Sequence, residues 1–360
     1  MTENNICNLL WCHATVDPGG TMRPCCRFRE LDYKLPSISE GFKEAWTGEV
    51  FDDIRARMLA GERLPNCSKC WRQEESTGMS LRTIYNKQYP NALSKLKLRY
   101  IEIGFSTHCN LACRICNADH SSKWATIQNP KQSVKLGYDM DLDWFNVDLS
   151  HLREIKIVGG EPMMARQHDE FLALLLKKNK NLDKVKIVYY TNGTVLPSKK
   201  VIDYWKSIGE VVLNISIDGA GEINTYQRPG SDWATLHDNV DYYESLCMDN
   251  LKIYSHSVIT ILNLWEFHDF YDWKNRFMWE KHMFLDITDY PEHLALRNMP
   301  ADIKERALVY VEEKIKPINA EHATYITDKI NQEPEIMITL EEIKQKEKLL
   351  DEYFNQRSPL

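Results

Sequence analysis

No stretch of this chain approaches the roughly 20 consecutive apolar residues that a membrane span requires. Basic charge is also short, because 45 lysines and arginines stand against 52 acidic residues for a net charge of -7. No global positive field is therefore available to attract nucleic acid, and only a local basic patch would serve. The opening residues Met1 to Val16 lack a positive n-region, and Asn8, Cys12 and His13 break their apolar stretch, which argues against a secretory signal. Internal repeats and low-complexity linkers are missing too.

These absences leave a cytoplasmic chain with no membrane association. Its 360 residues suffice for one large domain plus a smaller one or appendages. Cytosolic thiols stay reduced, so the ten cysteines read as metal ligands and not as disulfides. Six lie in the first 70 residues (Cys7, Cys12, Cys25, Cys26, Cys67, Cys70), and Cys109, Cys113 and Cys116 form a second group. Cys247 stands alone in a helical pattern and reads as a buried small hydrophobe.

From Lys97 onward, short β-branched or aromatic runs alternate with longer helical patterns, as expected of βα units in a parallel sheet. Six strands are predicted: Arg99 to Gly104, Glu154 to Val158, Lys184 to Tyr190, Val211 to Ile217, Lys252 to Thr260 and Met283 to Ile287. Segments such as Asp169 to Lys180, Ser198 to Ser207 and Trp233 to Asn250 have the length and spacing of crossover helices. Six units make a partial (βα)6 TIM-like barrel, short of the eight that close one. Residues 1–96 read as a separate cysteine-rich module with glycine turns, where metal would have to substitute for core. Residues 97–299 form the barrel and 300–360 a helical extension. In that extension Pro300 opens a helix with Ile303, Ala307, Val311 and Ile315 on one stripe and Pro317 stops it. A capping box at Thr339-x-x-Glu342 starts a last helix through Ile343, Leu350 and Phe354.

The run Cys109-Asn110-Leu111-Ala112-Cys113-Arg114-Ile115-Cys116 supplies three thiolates directly after the first barrel strand. Structural zinc takes four protein ligands, whereas a cubane cluster on three cysteines keeps one iron free. Zinc with a remote fourth ligand, or unliganded core thiols, are the other readings of these residues alone. The C-x3-C-x2-C loop resembles the signature of the radical S-adenosylmethionine (SAM) superfamily, with Ile115 where that family usually has an aromatic residue.

The resemblance extends to strand ends, where ligands of parallel α/β sheets gather. Gly159-Gly160-Glu161-Pro162 looks like the family's GGEP motif, which implies that Gly159, Gly160 and Glu161 meet the SAM amino group; by itself the run would read as a βα turn. Asn192, in Thr191-Asn192-Gly193-Thr194, and Ser216 and Asp218, in Ser216-Ile217-Asp218-Gly219, resemble pocket-lining stretches. Ser216 would offer its hydroxyl to a carboxylate or ribose, while Asp218 is either a hydroxyl acceptor or a helix cap. Arg228 matches an arginine suited to the methionyl carboxylate, or is a surface arginine. Asn263 is a further candidate for nucleoside or substrate contacts, and His108 would only orient the loop. No side chain is singled out as catalytic. In this family a 4Fe-4S cluster chelates SAM, and one electron cleaves its sulfur to C5′ bond to give methionine and a 5′-deoxyadenosyl radical.

Upstream, Cys7-x12-Gly20-x4-Cys25 followed by Cys67-x2-Cys70 offers four thiolates, with Gly19-Gly20 setting up a hairpin. Zinc and iron-sulfur clusters both accept this set. The pattern resembles SPASM or twitch modules, implying an auxiliary 4Fe-4S cluster on Cys7, Cys25, Cys67 and Cys70. Cys26 competes with Cys25 as ligand, and Cys12 has no assigned place. Such modules usually follow the barrel, whereas these cysteines precede it. The resemblance implies a radical SAM enzyme, an oxidoreductase or transferase, that takes its electron from an external donor such as flavodoxin or ferredoxin. Its first expected substrate is a ribosomally made peptide, then a carbohydrate or nucleoside metabolite, with nucleic acid last. A non-catalytic iron-sulfur or zinc-binding redox protein is the rival reading.

Overall fold

A computed structural model describes residues 5–130, 140–277 and 283–359. Its eight strands are β1 (His13–Val16), β2 (Met22–Arg23), β3 (Tyr100–Gly104), β4 (Glu154–Val158), β5 (Lys186–Thr191), β6 (Glu210–Ser216), β7 (Leu251–Ile259) and β8 (Met283–Ile287). The sheet order is β2-β1-β3-β4-β5-β6-β7-β8. Strands β3 to β8 are the six expected ones, and successive strands lie side by side, as in a singly wound partial barrel.

Strands β1 and β2 were not expected. The Gly19-Gly20 hairpin forms, with Thr15 opposite Arg23 and Gly20 at φ +82°. Its first strand then pairs in parallel with β3, His13 against Tyr100 and Val16 against Ile103. The cysteine-rich region therefore contributes an edge to the sheet. It also has a core, in contrast to the expectation that metal would replace one: Leu9, Leu10, Trp11, Cys12, Phe28, Ile54, Met58, Leu64 and Tyr89 are buried together. Helix Glu49–Leu59 supplies Ile54 and Met58, and Leu81 and Tyr85 of helix Leu81–Gln88 pack against the cluster.

The chain divides into two compact units. The first comprises Met1–Thr107, Gly137–Tyr189 and Pro197–Val211. There, alternation along β4 and β5 buries Ile155, Ile157, Ile187 and Tyr189. Phe105 packs on Phe171 of helix Arg166–Lys178, and Trp205 of helix Lys199–Trp205 donates to the Tyr189 hydroxyl at 3.0 Å. His168 lies 2.9 Å from the same hydroxyl, and burial pulls its pKa down to about 3. The alternate residues carry charge, with Lys156 3.0 Å from Glu102 and Lys186 2.6 Å from Glu210.

The second unit comprises His108–Leu136, Tyr190–Leu196 and Val212–Leu360. The helix Ala301–Tyr310 continues through a π segment, Val311–Ile315, and buries the expected stripe Ile303, Ala307, Val311 and Ile315. The Thr339/Glu342 capping box opens helix Leu340–Phe354, which buries Ile343, Leu350 and also Glu347. Cys247 departs from its reading: the helix stops at Ser245, and Cys247 lies exposed at φ +46°. Among the described residues no helix is long and apolar enough to cross a membrane.

Candidate functional site

The loop from Cys109 to Cys116 has no helix or strand of its own, so neighbouring backbone holds it. Ala112 N–H donates to Pro229 O at 2.9 Å, and Arg114 N–H donates to Gln227 O at 3.0 Å. Close approach requires a glycine next to Pro229, since a Cβ on Gly230 (φ +96°) would stand 2.9 Å from Asn110 O. Ser122 Oγ accepts from Cys109 N–H at 3.1 Å, and Trp124 Nε1–H donates to Cys113 O at 2.8 Å.

Polar groups from the strand ends reach the sulfurs. Asn192 Nδ2 lies 3.8 Å from Cys109 Sγ and donates to Asn110 Oδ1 at 3.0 Å. Arg228 Nη1 lies 3.6 Å from Cys113 Sγ, and its Nε is 2.8 Å from Asp218 Oδ2. Arg228 is 7% exposed, which removes the surface-arginine reading. Asp218 caps no helix. Its Oδ1 accepts from Val258 N–H at 2.8 Å, and its backbone N–H donates to Asn224 Oδ1 at 2.9 Å. Asn263 is fully engaged: Oδ1 accepts from Thr260 N–H, while Nδ2 donates to Asp218 O at 2.6 Å and Val258 O at 3.0 Å. That geometry makes Asn263 a strut for Asp218. Ser216 ends β6 half-buried.

Burial raises the Cys113 and Cys116 thiols, the latter to about 12. Burial alone would lower Arg228, but Asp218 and the Cys113 and Cys109 thiols outweigh it and raise the guanidinium. Thiols raised in this way are poor nucleophiles and become thiolates when a metal replaces the proton. With Asp218 Oδ2 and Arg228 Nε paired to each other, Asn224 Nδ2, Gln227 Oε1 and Ser231 Oγ remain buried with no hydrogen-bond partner. Each such atom costs on the order of 1–3 kcal/mol, so this segment could take a polar ligand beside three sulfurs able to hold a metal.

In the first unit, Gly159 follows β4 at φ +117°, and a Cβ there would lie 2.8 Å from Ser106 O. Gly160 N–H donates to that same oxygen at 2.9 Å. Glu161 is buried and its Oε1 accepts from Met163 N–H at 3.1 Å, capping the turn Pro162–Met164. The two glycines thus serve a close strand-end turn.

Cys7, Cys25, Cys67 and Cys70 line a single pocket, with Leu9, Phe28, Leu81, Arg27 and Arg82. Burial raises Cys7 and Cys25, neighbouring thiols add to it, and burial pushes Cys67 up to about 12. Four convergent thiols suit a tetrahedral ion or a fully ligated cubane. Cys26 is exposed outside this lining, beside Glu102. Cys12 is fully buried and its thiol donates to Asn8 O at 3.2 Å, within the apolar cluster. The sequence reading missed Asn110, whose Nδ2 donates to Thr194 Oγ1 at 2.8 Å, and Arg114, whose place between two cysteines was a signal.

Residues 103–273 match the Radical SAM superfamily, and residues 7–71 match SPASM, an iron-sulfur cluster-binding domain. Among curated proteins, the chain is 24% identical over 245 residues to GTP 3',8-cyclase of Helicobacter pylori (strain ATCC 700392 / 26695), covering 64% of this chain and 68% of that protein. Another, GTP 3',8-cyclase of Aliarcobacter butzleri (strain RM4018), is 24% identical over 123 residues, 34% of this chain and 35% of its own length. Solved structures include native anSMEcpe with bound AdoMet, at 17% identity and TM-score 0.41 over 61% of this chain and 62% of that one. Streptococcus suis SuiB bound to S-adenosylmethionine aligns at 14% identity and TM-score 0.38 over 88% and 69%. The family's cofactors are a 4Fe-4S cluster and SAM, and the SPASM match adds auxiliary iron-sulfur. With a Radical SAM superfamily segment at 103–273 and an iron-sulfur cluster-binding module at 7–71, the chain matches a radical SAM enzyme of the SPASM/twitch subgroup.

Proposed function

We propose that Cys109, Cys113 and Cys116 hold the SAM-binding cluster, that Cys7, Cys25, Cys67 and Cys70 hold an auxiliary 4Fe-4S cluster, and that the substrate is a ribosomally made peptide. The observation that carries this reading is the difference in number: three half-buried thiols in one loop, with a cation beside Cys113, and four around one pocket. When bound, cluster and SAM supply one-electron cleavage of the sulfur to C5′ bond, leaving methionine and a 5′-deoxyadenosyl radical that takes a hydrogen atom from substrate.

The chain's own residues do the positioning. Arg228 sets positive charge beside Cys113, and Asp218, held by Asn263 and Val258, fixes that guanidinium. Asn192 orients Cys109. Gly159 and Gly160 leave room for the SAM amino group, Glu161 accepts from it, and Ser216 serves carboxylate or ribose. A fully ligated auxiliary site has no iron left for substrate, which favours electron transfer during peptide oxidation over direct substrate ligation. The charged strand face with Glu102, Lys156 and Lys186 favours a polar substrate. A flavodoxin- or ferredoxin-like donor in the cytoplasm would supply the electron.

A second reading, a nucleotide substrate, is favoured by the GTP 3',8-cyclases among the relatives. Anaerobic reconstitution, reduction and addition of SAM with a peptide or with GTP separates them. The expected result is 5′-deoxyadenosine in every case, stimulated by peptide. Stimulation by GTP alone favours the second reading, and no 5′-deoxyadenosine at all removes the enzyme reading.

A further inference from the structure

The loop that carries Cys109, Cys113 and Cys116 is fastened to a helix more than two hundred positions away, through Arg114. The Arg114 side chain is 0% exposed. Its Nε donates to Tyr226 O at 2.7 Å, Nη1 to Glu347 Oε2 at 2.6 Å, and Nη2 to Asp351 Oδ1 at 2.7 Å and to Gln356 Oε1 at 2.9 Å. The Tyr226 ring stacks 3.7 Å from the guanidinium carbon. One planar fork thus satisfies four acceptors, an arrangement that lysine's point charge would not reproduce.

Glu347 and Asp351 stand one turn apart on the same face of helix Leu340–Phe354. Glu347 is buried and Asp351 partly so, and withdrawing carboxylates from water is unfavourable unless a cation faces them. Arg114 is that cation, and His293 Nε2 lies 2.6 Å from the other Glu347 oxygen. Apolar contacts run alongside. Ala112 of the cysteine loop packs with Ile127 and Leu350, flanked by Trp124 and Phe354. Trp124 in turn donates to Cys113 O at 2.8 Å. Gln356 Nε2–H closes the ring by donating to Thr225 O at 3.0 Å, one residue from the Arg114 acceptor on Tyr226.

We propose that helix Leu340–Phe354 is a clamp for the cysteine loop, with Arg114, Glu347 and Asp351 as positioning residues that hold the segment between Cys113 and Cys116 in a metal-binding conformation. The proposal rests on the reading that these three cysteines hold the SAM cluster. Residues 113–116 belong to no helix or strand and have only one turn of their own, closed by Cys116 N–H donating to Cys113 O at 2.9 Å, and the guanidinium between the second and third ligand is tied to the helix through two carboxylates. Freeing that tie lets the third sulfur move relative to the second. The four-thiol set lies in the other unit and shares none of these contacts.

The test uses the full chain, reconstituted anaerobically, in three versions: unaltered, Arg114→Gln, and the milder pair Glu347→Gln with Asp351→Asn. The readouts are iron per chain, the change in the reduced cluster's electron paramagnetic resonance on adding SAM, and far-ultraviolet circular dichroism. The unaltered chain is expected to hold about eight irons, and both variants about four, with the SAM-dependent spectral change lost and the secondary structure kept. Arg114→Lys is expected to recover only part of the iron. Full iron and an intact SAM response in both variants would overturn the clamp. So would loss of both clusters together with secondary structure, because the contact would then hold the fold and not the loop. If a Cys109/Cys113/Cys116 triple alanine chain keeps all its iron, the cluster assignment itself falls, whatever the clamp variants do.

Discussion

The two thiol sets are built in opposite ways. Cys109, Cys113 and Cys116 come from one short run whose shape is imposed from outside, by Gln227, Pro229 and Trp124 and by the helix Leu340–Phe354. Cys7, Cys25, Cys67 and Cys70 come from three distant stretches, and their local apolar core, with Leu9, Phe28 and Leu81 at the pocket, brings them together. The first set is close in sequence and depends on remote packing; the second is dispersed in sequence and depends on local packing. Polarity follows. The three-thiol site has Arg228, Asp218 and a group of unsatisfied buried polar atoms beside it, as a site that must also take a polar ligand would need.

The largest effects should come from removing one set at a time. The Cys109/Cys113/Cys116 triple alanine chain should make no 5′-deoxyadenosine above background yet keep the auxiliary iron. The Cys7→Ala, Cys25→Ala chain should do the reverse, keeping SAM cleavage without substrate turnover. Loss of both clusters in either chain would break the comparison.

Next in size is the ion pair beside Cys113. Asp218→Asn leaves Arg228 without its buried partner, and a loss of about 10- to 100-fold in SAM cleavage rate is expected, as for residues that orient metal ligands. Auxiliary iron should not change, which an iron assay alongside the rate would check.

Gly230→Ala places a Cβ 2.9 Å from Asn110 O at a positive φ, at a cost of about 1–3 kcal/mol. Urea unfolding should show this cost, and the loss of iron should be confined to the three-thiol site.

Acid should act on the first unit. His168 and His13 are buried with pKa values held down to about 3, so each stays neutral in the folded chain while the unfolded chain binds a proton below pH 6.5. Their stabilising contribution is full above that pH and declines as pH falls toward 3. For His168 the loss between pH 7 and pH 5 is about 2 kcal/mol. Replacing His168 with Asn should flatten the pH dependence of urea unfolding by that amount; an unchanged slope would show that the imidazole titrates normally. Smallest of all is Cys26→Ser, expected to leave iron content unchanged, whereas Cys25→Ser should lose auxiliary iron.

The barrel strands were legible because β-branched runs at regular intervals leave little choice, and β4 and β8 begin and end where the pattern does. The hairpin β1/β2 was half legible. Its glycine turn was visible, but four residues, His13 to Val16, are too few to announce a parallel partner at Tyr100. Cys247 was misread because the helical pattern runs past Ser245, while the chain turns out at a positive φ. Arg228 and Asp218 were marked singly, as a surface arginine or a cap in the plain reading, and only folding makes them a pair.

By itself the sequence determined the donor chemistry, since thiol type and spacing within Cys109 to Cys116 are covalent facts that no packing alters. It also determined the order of the βα units, because hydrophobic period is a local property. The tertiary structure decided which distant groups meet: Cys25 and not Cys26 in the four-thiol pocket, Asn263 as a strut under Asp218, and Arg114 on Glu347 and Asp351. Such pairings depend on chain closure over tens to hundreds of residues, for which a linear pattern carries no distance.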